Sequence, residues 1–297
     1  MSKLKSYSFL FISVIIFGCY AVFTRLVNST FSPFMLSFYR EGIACLIMIG
    51  LTYLGVSKWK KVEKKDIALI VVMGIISGIA NTLMFKTFSI LPLGIASFLI
   101  FSSSTISSWL IGLIYFKEKI TNIILISLGL VLLGIIIMFK VDIGTLNING
   151  ILMGIGFGIC ISIFSSIAKK LSDGYGILQV YSISAGITSI FALIMTFFFN
   201  ESFPIFSFSM EWFWFGIFVI STILANGLYL ISLKNLDMSV IGIVNPFQSV
   251  ITSIAGILIF KEILQFNTLI GGVLIIIATL IPYIKERSSV LKSNENE

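Results

Sequence analysis

The sequence predicts an all-α integral membrane protein, and three observations lead to that fold class. Of the 297 residues, 58% are hydrophobic and only 11% are charged, whereas soluble domains carry roughly 25% charged residues. The mean hydropathy is +1.09. The apolar residues come in blocks of about 20, the length of a helix that crosses about 30 Å of hydrocarbon, and we see no alternating segments of about 10 residues that would indicate a membrane barrel.

Ten hydrophobic blocks are predicted to span the membrane as helices. They cover residues 7–27, 32–55, 66–86, 91–115, 121–139, 150–168, 175–199, 211–233, 238–260 and 266–284. The longest polar stretches, 56–65 and the tail after Lys285, leave no room for a soluble catalytic domain. The first block follows Lys3 and Lys5 as a signal peptide would, but it continues to Val27 without a small-residue cleavage site, so we expect it to be the first span.

The basic residues predict which side of the membrane each loop faces. With both termini in the cytoplasm, 15 lysines and arginines fall on the inner side and 4 on the outer side, as the positive-inside rule requires. We therefore predict a multi-pass plasma-membrane protein with both termini cytoplasmic. The same bias accounts for the net charge of +7, so we expect no nucleic-acid partner; membrane lipid is the expected neighbour of the basic loop at 58–65.

Histidine is absent from the sequence, and the three cysteines, Cys19, Cys45 and Cys160, fall in different blocks without paired spacing. The commonest general base and metal ligand is therefore missing, and the thiols are expected to be structural. These observations predict a protein that is not an enzyme and holds neither cofactor nor metal.

The two halves of the chain resemble one another. Ser97–Gly134 and Ile241–Thr279 each run as an apolar helix, the tripeptide Phe-Lys-Glu and a second apolar helix, and the tripeptides at Phe116 and Phe260 lie 144 residues apart. We predict two repeats of five spans, 1–146 and 147–297. Because five is odd, the second repeat enters the membrane inverted, which is the architecture that lets a site at the midplane open to either side in turn.

These features together resemble the EamA-type members of the drug/metabolite transporter superfamily. The resemblance covers the whole chain and includes the sequence Phe-Tyr-Arg-Glu in the second span, Asn-Pro in the ninth, and the Lys-Glu turns before the fifth and tenth. It implies ten helices around a central cavity and the export of amino acids, other metabolites or drugs, although some relatives import. Members of the family often have a proline in the first half at the position of Ser102, as this chain has Pro246 in the second half. The serine in place of that proline argues against a flexible fourth span.

Arg40 and Glu41 are adjacent charges in a second span that is otherwise almost entirely apolar. A charge at the centre of a span costs roughly 2.5–3.5 kcal/mol on insertion scales, so both should face protein or water. Neighbouring side chains on a helix point about 100° apart, so we expect at least one partner on another helix, with Arg25 paired to Glu41. The two open interpretations are a fixed ion pair and a site for substrate or proton. A free Glu41 would be the candidate for proton coupling.

Three polar residues near helix ends or interfaces are further candidates. Lys86 lies at the outer end of the third span, where it either reaches the headgroups or points into the cavity and attracts a carboxylate. Asn81 and Asn226 occupy similar places in the third and eighth spans. They are expected either to hydrogen-bond neighbouring helices or to line the site as a pseudo-symmetric pair.

The ninth span contains the sequence Asn-Pro-Phe-Gln, in which Pro246 removes a backbone donor and frees the carbonyl four residues before it. Broken helices at membrane depth often mark transport sites, so we predict that Asn245, Pro246 and Gln248 belong to the site.

Hydroxyl and aromatic residues complete the set of candidates. The fourth span carries the run Ser102–Trp109, in which Ser103 and Trp109 are candidate contacts and close helix packing is the alternative role of the serines. Tyr20, Tyr181 and Tyr229 are either cavity aromatics or packing residues with a satisfied hydroxyl.

Three function classes follow from this sequence. The favoured one is a secondary transporter for a small organic molecule, since no phosphate-binding loop is present for direct use of ATP. A channel or lipid-moving protein is the second, and a membrane-embedded enzyme acting on lipid is the third and is weakened by the missing histidines. Ten spans complete a cavity within one chain, so a monomer is the expected working unit.

Overall fold

The computed structural model describes residues 3–54, 59–91, 93–119, 121–139, 147–172, 174–261 and 266–294, and the regular secondary structure in these ranges is all helical. The helices in these ranges are α1 (Lys3–Gly18), α2 (Tyr20–Val27), α3 (Pro33–Tyr53), α4 (Lys64–Ile90), α5 (Leu93–Ile114), α6 (Asn122–Phe139), α7 (Ile148–Ser172), α8 (Ile177–Phe198), α9 (Met210–Leu233), α10 (Met238–Val244), α11 (Phe247–Phe260) and α12 (Phe266–Asn294). The predicted all-helical class is thereby confirmed.

Eight segments of the described chain are long and apolar enough to cross a membrane. They are Lys3–Val27, Pro33–Thr52, Lys64–Phe88, Ile148–Ser172, Ile177–Phe198, Met210–Leu233, Met238–Phe260 and Phe266–Lys285. The fourth and fifth predicted spans contain the shorter apolar helical segments Leu99–Ile114 and Asn122–Ile137, so the count of ten remains a prediction. The predicted repeat boundary at 146, and Lys58, Lys140 and Glu262, lie outside the described residues.

The asparagine–proline pair in the ninth predicted span interrupts the helix. α10 ends at Val244 and α11 begins at Phe247. The amide of Asn245 still donates to the Ile241 carbonyl at 3.0 Å, whereas Pro246 has no amide hydrogen to continue the ladder. The corresponding helix of the first half, α5, continues through Ser102 without interruption.

The repeated tripeptide has the same backbone role in both halves. Lys117 and Lys261 both adopt the left-handed conformation, with φ of 53° and 55°, which is uncommon for residues other than glycine. Each lysine follows the last residues of a helix, α5 or α11, where a residue in the left-handed conformation commonly ends a helix. The sequence similarity of the halves therefore corresponds to a similarity of structure at these two turns.

The helices pair mainly across the two halves of the chain. α3 packs along α8 and α6 along α12, so each of these pairs joins equivalent helices of the two halves. α4 packs on α7, and the equivalent pair formed by α9 and the first helices, α1 and α2, also packs together. Each helix pair between the halves is therefore matched by a pair of equivalent helices, so the contacts follow the pseudo-symmetry of the two halves.

The bundle has two ends that carry different contacts. At what we call the termini end, the rings of Tyr7, near the start of α1, and Tyr283, near the end of the apolar segment Phe266–Lys285 of α12, have centroids 5.7 Å apart. Asn235, after α9, donates to Ser6 at 3.1 Å. At the opposite end, the rings of Phe34 at the start of α3 and Phe199 after α8 stack at 5.1 Å.

The largest apolar cluster fills the half of the bundle nearer the termini end. It joins helices of both halves, and its members include Leu10, Met73, Leu233, Met238 and Ile241, which are all inaccessible to solvent. Because interiors pack as densely as organic crystals, this cluster closes the bundle there.

A cavity between the two halves

A cavity of about 150 Å³ lies between the two halves of the described chain. That volume is roughly ten times what one water molecule needs. The first half supplies lining residues from the α1–α2 segment, α3, α4 and α5, and the second half from α7, α8, α9 and the α10–α11 segment.

The cavity extends toward the opposite end of the bundle. Its lining includes Thr24, three residues before the end of α2, Phe88, two residues before the end of α4, and Ser97, four residues after the start of α5. All three lie close to the opposite end. Toward the termini end, the lining stops at Tyr181 and Tyr229, which belong to the apolar cluster that closes that half.

Arg40 and Glu41 form an ion pair with one another at the wall of the cavity. Arg40 Nη2 lies 2.9 Å from Glu41 Oε1, and Arg40 Nε donates to the same oxygen at 3.3 Å. The expected pairing of Glu41 with Arg25 is wrong: the Arg25 guanidinium lies 5.0 Å from the centre of the Phe260 ring. The long arginine side chain folds back along the helix, so a separation of 100° between neighbouring Cβ directions does not prevent the contact.

The Arg40 guanidinium is enclosed by aromatic rings and by one amide. Its carbon lies 5.0 Å from the ring centre of Phe218, 5.7 Å from that of Tyr20 and 5.9 Å from that of Phe85, distances typical of cation–π contacts. Nη2 also donates to Asn81 Oδ1 at 3.1 Å. The residue is 2% exposed, and Nη1 is buried without a hydrogen-bond partner in the described residues.

Asn81 and Asn226 both line the cavity, on α4 and α9. Asn81 connects helices, because its Nδ2 lies 3.5 Å from Ser37 Oγ in addition to its contact with Arg40. Asn226 donates from Nδ2 to the Thr222 carbonyl of its own helix at 3.0 Å. The two asparagines therefore occupy similar places in the two halves but have different partners.

Tyr229, Asn245 and Gln248 bring polar groups of the second half to the same cavity. The Tyr229 hydroxyl lies 2.9 Å from Ser165 Oγ, and Asn245 Nδ2 donates to it at 3.4 Å. Asn245 is 7% exposed, and its Oδ1 has no hydrogen-bond partner in the described residues. A buried acceptor of this kind is costly unless it finds a donor.

Four predicted site residues lie outside the cavity lining of the described structure. Pro246 places its neighbours but does not contact the cavity, and Trp109 is half-buried away from it. Lys86 places its ammonium 4.6 Å from the Phe199 ring centre at the opposite end. Ser103 packs against α7, donating to Leu99 O at 2.6 Å and lying 3.3 Å from Gly154 O.

The close approach at Ser103 explains why the serine next to it faces the cavity. A Cβ added at Gly158 would overlap Ser103 Oγ, so α5 and α7 meet there with no room for a side chain, as small residues permit in membranes. Ser104, one position on, lines the cavity.

Several lining residues were not singled out by the sequence analysis, which considered Ser104 only as part of the run Ser102–Trp109. Ser97, Ile100, Phe101 and Ser104 follow the spacing of one helical face. Ser77 and Thr252 also line the cavity. The spacing is visible in the sequence, but lipid-facing stripes of the same helices have the same period, so the pattern alone does not tell one from the other.

Polar contacts hold the helices together at the termini end. Glu118, after α5, accepts hydrogen bonds from the backbone amides of Met238 at 2.6 Å and Ser239 at 3.1 Å, and from Ser239 Oγ at 2.6 Å. Lys169 Nζ of α7 lies 3.7 Å from Glu118 Oε1 and donates to Leu236 O at 2.6 Å. The carboxylate therefore caps α10, where the helix dipole favours negative charge.

A helical membrane bundle has the architecture of a membrane transporter when its two similar halves enclose a largely apolar cavity with several polar groups, which extends toward one end and is bounded by an apolar cluster toward the other. The chain belongs to the EamA-like transporter family: the family profile matches residues 4–140 and 148–284. The predicted resemblance to EamA-type members of the drug/metabolite transporter superfamily is confirmed.

The comparisons with other proteins support the fold. A solved crystal structure with 13% sequence identity superposes with a TM-score of 0.80, covering 94% of this chain and 98% of the other. At that identity, the likeness concerns the fold alone. No curated protein sequence matches this chain.

Proposed function

We propose that the protein is a secondary active transporter that exports small organic metabolites, such as amino acids or drugs, by alternating access. Ten spans in two inverted repeats would surround the cavity, with Arg40, Glu41, Asn81, Asn226, Tyr229, Asn245 and Gln248 as the groups that bind or position the substrate. Export is the common activity implied by the family resemblance, and import through the same fold is the alternative direction.

One observation carries the proposal: among the described residues, the cavity lining approaches one end of the bundle, and the apolar cluster fills the other end. Lining residues approach the opposite end, whereas Leu233, Met238 and their apolar neighbours close the termini end. A channel needs a continuous path, whereas a transporter exposes its site to one side at a time. The geometry therefore favours a transporter over a channel-like facilitator or a lipid-moving protein.

The orientation is part of the proposal. Most described basic residues, including Lys60, Lys65, Lys117 and Lys169, lie at or near the termini end, and Arg25 and Lys86 lie near the opposite end. By the positive-inside rule, the termini end faces the cytoplasm of a plasma-membrane protein. The described cavity then faces outward, and the single chain completes it, so the working unit is proposed to be a monomer.

The test is flux into liposomes that hold the purified protein. A pool of labelled amino acids and related metabolites is offered with and without an excess of each unlabelled compound inside. We expect uptake that saturates with concentration and is accelerated by internal substrate, because exchange through a single site produces counterflow. Non-saturating flux without counterflow would assign the protein to channels.

Coupling to protons is examined in the same vesicles with an imposed pH gradient. Glu41 is paired with Arg40 rather than free, so protonating it would leave a buried arginine without its counter-charge. We therefore expect Glu41→Gln to alter substrate binding more than the response to the gradient. A gradient response that is present in the wild type and lost in this variant, at equal folded yield, would make Glu41 the coupling residue.

A further inference from the structure

The charges that line the cavity cancel. Among the described lining residues, Arg40 and Glu41 are the only formally charged ones. The remaining polar groups are amides and hydroxyls, such as those of Asn226, Gln248 and Thr252, and the rest of the lining is aromatic or aliphatic. Tyr20, Tyr181 and Tyr229 are the other titratable side chains there, and phenols are uncharged at neutral pH.

The Arg40 side of the ion pair is closed to a ligand anion, and a ligand cation that reached Glu41 would compete with Arg40 for its charge. Glu41 Oε1 accepts hydrogen bonds from Nε and Nη2 of Arg40, and Asn81 Oδ1 accepts another from Nη2. Three aromatic rings enclose the guanidinium. Nη1, the remaining nitrogen, is buried as well. A ligand anion would have to displace Glu41 from Arg40, and breaking one partner out of a buried pair is strongly unfavourable.

Charged ligands are therefore at a disadvantage in this cavity. An ion loses its hydration when it moves from water to a site of low dielectric. The closed ion pair compensates little for that loss, because two opposite charges side by side produce only the weaker field of a dipole. An uncharged molecule loses less hydration, and the opposite charges of a zwitterion partly compensate one another when it leaves water. Both can use the amides and hydroxyls for their polar groups and the rings for their apolar part.

We propose that the cavity selects molecules without net charge that combine a hydrogen-bonding group with an apolar body, and that their transport is electroneutral. The inference rests on the proposed transport function and deepens it. Since neither the site nor its cargo carries net charge, a transport step that exchanges one cargo molecule for another moves no charge across the membrane, and the membrane potential does not act on it.

Ligand selection is measured first, on the purified wild-type protein in detergent. Charge-matched sets are used in which one carbon body, methyl, isopropyl or benzyl, carries four head groups: a zwitterionic amino acid, an uncharged amide, a carboxylate and an amine. Ligands that bind the native state raise its melting temperature. We expect the zwitterion or the amide of a set to bind at least tenfold more tightly than the two ions. Tighter binding of either ion overturns the inference, and the ranking of zwitterion against amide tells which neutral chemistry is used.

The second arm measures flux of the best-binding member in liposomes with a potassium diffusion potential set by valinomycin. We expect the initial rate to change less than twofold when the potential is reversed. A change of several-fold, with flux that still saturates, overturns the electroneutral step and leaves the transporter assignment intact. Absence of both saturable flux and binding across all sets would instead remove the proposed function.

A variant arm separates charge selection from general damage. Glu41→Gln gives the cavity a net positive charge, and we expect the preference to shift at least tenfold toward the carboxylate of the same set. Glu63→Gln is the matched control, because the exposed Glu63 pairs with Lys65 outside the cavity. An unchanged ranking in a folded Glu41→Gln protein overturns the role of the pair; if that variant does not fold, the wild-type measurements decide.

Discussion

The termini end and the opposite end of the bundle are held by different kinds of contact. At the termini end, Glu118 and Lys169 join three segments through hydrogen bonds above a closed apolar cluster. At the opposite end, Glu201 caps α3 through the amides of Phe34 and Met35 at 3.0 and 3.1 Å, but the helices separate around the cavity. This difference indicates where the proposed mechanism must act. Opening toward the termini end requires the contacts of the packed half to break, whereas those of the cavity half can stay.

The largest expected effect tests whether packing closes the termini end. Leu233 is inaccessible to solvent, whereas Leu224 on the same helix is 54% exposed. We expect Leu233→Ala to lower the free energy of unfolding by about 2 kcal/mol, at the low end for core substitutions because lipid rather than water is the alternative environment. Unfolding in mixed micelles by denaturing detergent measures it.

Leu224→Ala is the matched control, with an expected change below about 0.5 kcal/mol, as for exposed sites away from special features. Equal losses for the two leucines would contradict the division of the bundle into a packed half and a cavity half.

A smaller effect is expected from the polar contacts of the packed half. Glu118→Gln keeps one acceptor oxygen but loses the charge that interacts with the α10 terminus and with Lys169. Loss of a good cap costs about 1 kcal/mol, which corresponds to roughly a fivefold faster amide exchange in α10. Hydrogen exchange followed by mass spectrometry measures α10 against α3 as an internal reference. Exchange that rises equally in both helices would show general destabilisation rather than a local cap.

The architecture was predictable because membrane helices are set by length and apolarity. The span predicted at 211–233 is α9 at Met210–Leu233, and the break predicted at Pro246 separates α10 from α11. Both signals are local in the sequence. The hydrophobic thickness of the membrane determines the length of the span, and the missing amide hydrogen of proline determines the position of the helix break.

The candidate site was predictable only as a set of residue types. The helix phase decides which of two neighbouring serines, Ser103 or Ser104, reaches the cavity, and that phase depends on the close approach at Gly158. The partner of Glu41 depended on the conformation of one flexible side chain, that of Arg40. Sequence spacing records neither, because both are set by packing between helices that are distant in the chain.

The smallest expected effect concerns a loop contact at the surface of the termini end, next to the packed half. Tyr175, between α7 and α8, donates its hydroxyl to Asp66 Oδ2 at 2.6 Å and accepts from the Glu63 amide at 3.0 Å. The hydrogen bond to the Asp66 carboxylate raises the pKa of Tyr175 above its ordinary value. A raised pKa means that this contact stabilises the folded protein fully below the unfolded value of about 10 and that its contribution is lost as the pH rises through the folded pKa.

We therefore expect Asp66→Asn to lower the pKa of Tyr175 toward that of a free tyrosine, since the neutral amide accepts the hydroxyl proton less strongly than the carboxylate. The measurement is tyrosinate absorbance against pH, with Tyr175→Phe supplying the difference spectrum that isolates this residue from the other eight tyrosines. Identical Tyr175 titrations with and without the Asp66 carboxylate would show that the loop is not held by this bond. The contact would then have no part in the difference between the two ends of the bundle, which would rest on the Glu118 cap and the apolar cluster.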